Sequence, residues 1–151
     1  MSMKKGVVIG IDPDVDKNGI AIYQRESKTL ELYALSFFQL FDLLVSKKEL
    51  IKEVIVEASW LIKKANFHNE SKGVRVSSNI GSRTGANHEV GRKIIEMCEY
   101  LKIPCQGIRP LKKRWKGREG KITHEEFFKL TGYSFSTNQE KRDAGLLVWG
   151  Y

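Results

Sequence analysis

Cysteine, histidine and proline are scarce in this 151-residue chain, which holds two, three and three of them. Cys98 and Cys105 have no CxxC spacing, and no zinc-ligand pattern joins them to His68, His88 or His124. A disulfide framework, a structural zinc site and a Cys/His nucleophilic pair therefore lack support, and a reducing, cytoplasmic setting is expected. Long apolar runs are missing too: after MSMKK the segment GVVIGI is too short for a signal-peptide core or a membrane span, so a soluble, unexported protein with no membrane partner is expected. No internal repeat and no Pro/Gly/Ser-rich linker divides the chain. With 41% hydrophobic residues, residues 1–151 read as one domain that buries about two thirds of its unfolded surface in one core. Acids are the minority charge, 18 Asp and Glu against 26 Lys and Arg for a net +8. That excess favours a polyanionic partner such as nucleic acid, provided the bases cluster.

Periodicity supplies an order of elements. Residues 6–12 (GVVIGID) and 19–24 (GIAIYQ) are short β-branched runs and 29–34 (TLELYA) alternates, so short connections make the three an antiparallel meander. Ser36 with Gln39 forms a capping box for a first helix to about Lys48, with Phe37, Phe41, Leu44 and Val45 as its stripe. Residues 52–58 (KEVIVEA) make a fourth strand. After a long loop, Val90, Ile94, Met97 and Leu101 recur at helical spacing and mark a second helix, and 103–108 (IPCQGI) makes a weaker fifth strand. Thr123 with Glu126 is another capping box, stapled by Ile122 and Phe127, for a short helix ending near Gly132. A last helix from about Asn138 places Ala144, Leu147, Val148 and Tyr151 on one face. This order predicts an α/β fold with a mixed five-stranded sheet, strands one, four and five parallel, and helices covering its faces. It is the order of the ribonuclease H-like fold, although other α/β sandwiches share it.

Strand one ends in Asp12 and strand four in Glu57, each an acid at the carboxyl end of an apolar strand. Ligands of open α/β sheets bind at those ends, so the pair either converges on a site or turns separately to solvent. Asp143 borders the apolar face of the last helix, one turn after Glu140. Glu140 has two readings, metal ligand or third position of a Thr137-x-x-Glu140 capping box. Like charges side by side are stable only around a cation. Oxygen ligands alone would select Mg²⁺ or Mn²⁺, and two such ions can activate water and stabilise the leaving oxygen of a phosphodiester.

The clustered bases are there. Residues 109–121 (RPLKKRWKGREGK) hold Arg109, Lys112, Lys113, Arg114, Lys116, Arg118 and Lys121 against the single acid Glu119, with Trp115 among them. They would track phosphates while the indole stacks on an unpaired base, or form a solvated loop around a packed Trp. Trp60, Lys63, Lys64 and Phe67 make a second candidate contact loop, or ordinary loop packing. The glycines and Arg83 of GSRTGANHEVG would set backbone N–H groups on a phosphate at a helix start, or serve turns. Asp14-x-Asp16-x-Asn18-Gly19 imitates the opening of a calcium loop but puts Arg25 where a bidentate Glu belongs, which leaves Asp14 and Asp16 as turn residues.

Taken together, these residues resemble the RuvC-type Holliday junction resolvases of the ribonuclease H-like superfamily. Gly10-Ile11-Asp12-Pro13 followed by Gly19 is similar to that family's first strand and turn, and Ile55-Val56-Glu57 to its second acidic motif. Glu140-Lys141-Arg142-Asp143-Ala144 resembles its terminal D-x-x-D-A segment, with Glu140 where Asp is usual. Gly85 to Gly91 resembles the entry to helix two. Lys112 to Gly120 resembles a lysine-then-glycine loop, one residue longer here. A further family lysine falls on His124 by strict count, with Lys121 close by. The stretch 59–79, where such enzymes insert aromatic side chains into a junction, is longer than usual. The resemblance implies a metal-dependent endodeoxyribonuclease that cuts branched DNA, four-way junctions above all, as a homodimer, with helix two contributing to the interface. Asp12, Glu57, Asp143 and Glu140 would hold the ions, and Lys112 or Lys121 would offset transition-state charge. An RNA-processing nuclease of the same superfamily and a nonenzymatic nucleic-acid-binding module are the alternative readings; clustered carboxylates facing phosphates count against the second.

Overall fold

The computed structural model describes residues 5–62 and 74–151, the side chains of 74–80 aside. Five strands, β1 (Val7–Asp12), β2 (Asn18–Gln24), β3 (Thr29–Leu35), β4 (Ile51–Glu57) and β5 (Cys105–Ile108), form one sheet in the order β3-β2-β1-β4-β5. The meander pairs antiparallel, and β1–β4 and β4–β5 pair parallel, as the sequence predicts. Four helices complete the chain: α1 (Phe37–Lys47), α2 (Val74–Tyr100), α3 (His124–Thr131) and α4 (Gln139–Val148).

Strand alternation divides the core into two layers. Val7, Ile9 and Ile11 of β1, Ile20 and Ile22 of β2, and Val54 and Val56 of β4 face one side, where Leu40 and Leu44 of α1 and Ile94, Met97 and Cys98 of α2 cover them. Val8, Ala21, Tyr23 and Ile55 face the other, beneath Phe127 of α3 and Ala144, Leu147 and Val148 of α4. The Ser36 and Thr123 capping boxes are both formed. On α1 the stripe is displaced: Leu40 is buried and Val45 is 48% exposed, because the helix turns Leu40 and Leu44 rather than Val45 to the sheet.

Two expectations are corrected. The second helix starts at Val74, well before Val90, and so includes most of the stretch read as a loop. Residues 81–86 on it are exposed, and its contact face there is polar, which is why apolar periodicity misses it. The last helix is capped by Asn138, whose side chain accepts from the Lys141 N–H, and Thr137 is not the cap. The Thr137 hydroxyl is engaged instead by Arg142 Nη1 at 2.7 Å and by His124 Nδ1 at 2.9 Å. Glu140 is consequently not the closing residue of a capping box.

Candidate active site

The parallel register of β1 and β4 pairs Ile11 with Val56, so Asp12 and Glu57 follow at neighbouring positions at the carboxyl end of the sheet. Alternation puts both on the α4 side, in line with Val8 and Ile55. Two glycines bring α4 down to them. A Cβ on Gly10 would collide with the Ala144 carbonyl oxygen, and one on Gly19 with the Glu140 carbonyl oxygen. With no side chain at either point the helix lies directly on β1 and β2, and Glu140 and Asp143 arrive beside Asp12.

The four acids also act on one another electrostatically. Burial, followed by the charges of Glu57, Asp143 and Glu140, pushes the Asp12 carboxyl up from 3.8 to about 8, against the pull of Lys121. Burial and Asp143 raise Glu57, while Lys121, Lys113 and the Ser59 hydroxyl hold it back. Burial raises Asp143 as well, with Glu140 adding to it and Gln139, Lys121 and Arg142 opposing. The charge excess is thus only partly offset, chiefly by Lys121, whose Nζ stands 4.0 Å from Asp143 Oδ2.

Neighbours orient these acids. Gln139 Nε2 donates to Asp143 Oδ1 at 2.8 Å, and Arg142 in turn donates to Gln139 Oε1 at 3.1 Å and to the Ile122 carbonyl at 3.1 Å. Ser59 Oγ donates to Glu57 Oε1 at 3.5 Å. Neither Gln139 nor Arg142 announces itself in the sequence, where both look like ordinary polar residues of a first helical turn. Beside Asp143, a depression of about 310 Å³ is lined by Arg118, Glu119, Lys121 and Gln139.

The basic segment is held in a defined shape. The Gly117 N–H donates to the Lys121 carbonyl and the Trp115 N–H to the Gly120 carbonyl, each at 2.9 Å. Gly120 has φ +76°, a conformation that favours glycine, and a Cβ there would also press on Lys113. Glu126 fastens the segment to α3 by accepting from the Lys116 N–H at 3.1 Å while it closes the Thr123 capping box. Lys113, Lys121 and Arg118 border the acids; Lys112 and Arg114 line a separate groove with Trp115. The Trp115 indole is half-buried against the α3/α4 core layer, with the Arg114 guanidinium 5.4 Å from its ring centre.

Arg83 and the glycines near it lie within α2, so their backbone N–H groups belong to the body of the helix and form no phosphate cradle at its start. Arg83 donates to Asp14 and Asp16 at 3.1 and 3.2 Å, and Asn87, one turn on, accepts from the Val15 N–H at 3.0 Å. The same helix face continues to Gly91, which receives the Trp60 ring and Pro13. α2 thereby braces the turn that follows Asp12. Trp60 is half-buried in this packing, with Arg92 5.3 Å from its ring centre. Lys63, Lys64 and Phe67 lie outside the described residues.

Does a divalent ion suit this place? Among the described residues, no three His, Cys, Asp or Glu side chains are gathered closely enough to enclose an ion by themselves. Mg²⁺ does not require that, since it keeps several waters and commonly takes one or two carboxylates. Burial first, and the neighbouring acids Glu57, Asp143 and Glu140 second, hold the Asp12 carboxyl up to about 8, and oxygen donors held so unfavourably without a counter-charge are chemically suited to such a cation.

No protein-family model matches the sequence, and no curated protein matches it. Among solved structures, T. thermophilus RuvC in complex with a Holliday junction substrate is similar with a TM-score of 0.59 at 13% identity, over 95% of this chain and 90% of that one. The likeness establishes the ribonuclease H-like fold. No described helix is long and apolar enough to cross a membrane.

Proposed function

We propose that the protein is a metal-dependent endodeoxyribonuclease that hydrolyses phosphodiesters in branched DNA, the four-way junction first among its substrates, and that it works as a homodimer. The observation that carries this reading is the meeting of Asp12, Glu57 and Asp143 from three separate elements, mutually repelling and partly buried, beside a fixed basic segment. A fold gains no stability from such a cluster; a cation and a phosphate give it a purpose. The junction-bound structural neighbour supports the choice of branched DNA.

Asp12, Glu57 and Asp143 would hold Mg²⁺ or Mn²⁺, with Glu140 as an outer ligand. Two ions bound there would supply a lowered pKa for the attacking water and charge stabilisation at phosphorus. The chain's own groups do the rest. Gln139, itself held by Arg142, fixes the orientation of the Asp143 carboxylate. Lys121, and on the Glu57 side Lys113, place positive charge where negative charge grows during in-line displacement. Arg118 draws the phosphate toward the depression beside Asp143. An RNA-processing activity would use the same carboxylates. A panel of immobile junction, flap, duplex and structured RNA, each with Mg²⁺ and with EDTA, separates the two: Mg²⁺-dependent cutting of the junction is expected, and cutting confined to RNA contradicts the proposal.

A further inference from the structure

At the far end of α4 from the carboxylates lies a second concavity of about 370 Å³, within the range of roughly 300–1,000 Å³ typical of small-molecule pockets. Leu111, Trp115, Leu146 and Trp149 form its walls, and Lys112 and Arg114 stand at it as cations. None of the described residues lining it is acidic. Both indoles are fixed in advance: the Trp115 backbone is tied to Gly120 and its side chain packs on the core, while Trp149 meets Tyr23 edge-on at 5.6 Å between ring centres.

We propose that this groove takes one unpaired nucleotide of a DNA strand, its base against the indoles and its phosphate on Lys112 and Arg114. A planar apolar face carrying a negative charge is the chemistry that these walls and this rim complement together. Continuity with the carboxylates favours a nucleotide over an acidic peptide. Lys113, between the two groove cations, acts on Glu57, and Lys121, at the end of the same segment, acts on Asp143. Along α4, Leu146 stands three residues beyond Asp143, about 4.5 Å on along the helix axis, and Trp149 follows directly on the end of the helix. The 112–121 segment and α4 each run from the groove to the carboxylates, so a strand following them would place a phosphate among the acids and a neighbouring base in the groove. Intact duplex has no free base to offer, so the groove would give preference to DNA unpaired beside the cut. The inference rests on the nuclease reading only for the strand's place relative to the carboxylates.

The test uses the full chain in EDTA, a twelve-nucleotide single strand with one 2-aminopurine, and the same sequence as duplex. Leu111 is 44% exposed, so Leu111→Asp puts a negative charge at the groove without disturbing the core. The expected result is quenching of the probe by the wild type, loss of that quenching in Leu111→Asp, and single-strand affinity weakened about tenfold while duplex affinity stays within about twofold. Equal weakening on both DNAs, or no change on either, overturns the groove assignment. So does displacement of the strand by a leucine-containing acidic peptide, which would assign the groove to a protein partner. If the groove result holds but no DNA is cut with Mg²⁺, the nuclease reading fails and the groove stands; if junctions are cut and Leu111→Asp binds the single strand normally, the reverse is true.

Discussion

The two faces of the sheet are built by opposite means. On the α1/α2 face, isoleucines and valines of β1, β2 and β4 fill the space completely, and Ile9, Ile11, Ile20 and Val54 are wholly buried. On the α4 face, Gly10 and Gly19 leave no side chain at the contact, so helix backbone rests on strand backbone. The first arrangement yields burial energy and gathers no carboxylates among its described residues. The second gives up burial and gains position, because a helix that close carries Asp143 and Glu140 to Asp12. Stability and chemistry are thus separable in this molecule, and variants on each face should show different signatures.

The largest stability effect belongs to the filled face. Leu44→Ala removes a wholly buried side chain and should cost about 2–5 kcal/mol in denaturant unfolding, with Mg²⁺ affinity by calorimetry unchanged. On the glycine face, Gly19→Ala should cost roughly 1–3 kcal/mol, because the added methyl meets helix backbone that cannot turn away. Unlike Leu44→Ala, it should also weaken Mg²⁺ binding by lifting α4 from Asp12. Equal Mg²⁺ affinities in the two variants would erase the distinction between the faces.

A smaller effect has a pH signature. The folded value of about 8 for Asp12 lies above the ordinary 3.8, so its carboxyl favours folding fully only below about pH 3.8, and that contribution is lost as pH rises toward 8. Metal-free Asp12→Asn should therefore melt higher than wild type at pH 8.5, with the gap narrowing as pH falls toward 4. Mg²⁺ should reverse the order at pH 8.5 by stabilising the wild type more. A gap that ignores pH would mean that Asp12 is neither buried nor set beside the other acids. The smallest expected change is from Glu140→Gln. Asn138 supplies the helix cap, so the melting temperature should not move, while Mg²⁺ affinity falls a few-fold if the carboxylate is an outer ligand. A fall in melting temperature would restore a structural role to Glu140.

How much of this was legible in the sequence depends on what each contact is made of. Strand order and the acids at two strand ends follow from apolar runs that break at Asp12 and Glu57. The stretch of α2 from 81 to 91 is invisible to periodicity because Arg83, Asn87 and Gly91, not apolar residues, make its contacts there. Thr137 and Asn138 are both competent caps by type, and it is the Asn138 side chain accepting from the Lys141 N–H, with the Thr137 hydroxyl taken by Arg142 and His124, that decides between them. Gln139 and the collisions that keep Gly10 and Gly19 free of side chains exist only once α4 is docked. For the same reason the positions of Lys121 beside Asp143 and of Lys112 at the groove are visible only in three dimensions.

The central claim is that Asp12, Glu57 and Asp143 form one metal-dependent hydrolytic centre. Its most direct test is cleavage of an immobile four-way junction by wild type and Asp12→Asn, with Mg²⁺ and with EDTA, alongside junction binding without metal. Wild type should cut only with Mg²⁺. Asp12→Asn should lose cutting by orders of magnitude yet bind the junction at least as tightly, because one repulsive charge facing the phosphate is gone while Lys113, Arg118 and Lys121 still attract it. Cutting by Asp12→Asn at the wild-type rate would contradict the account.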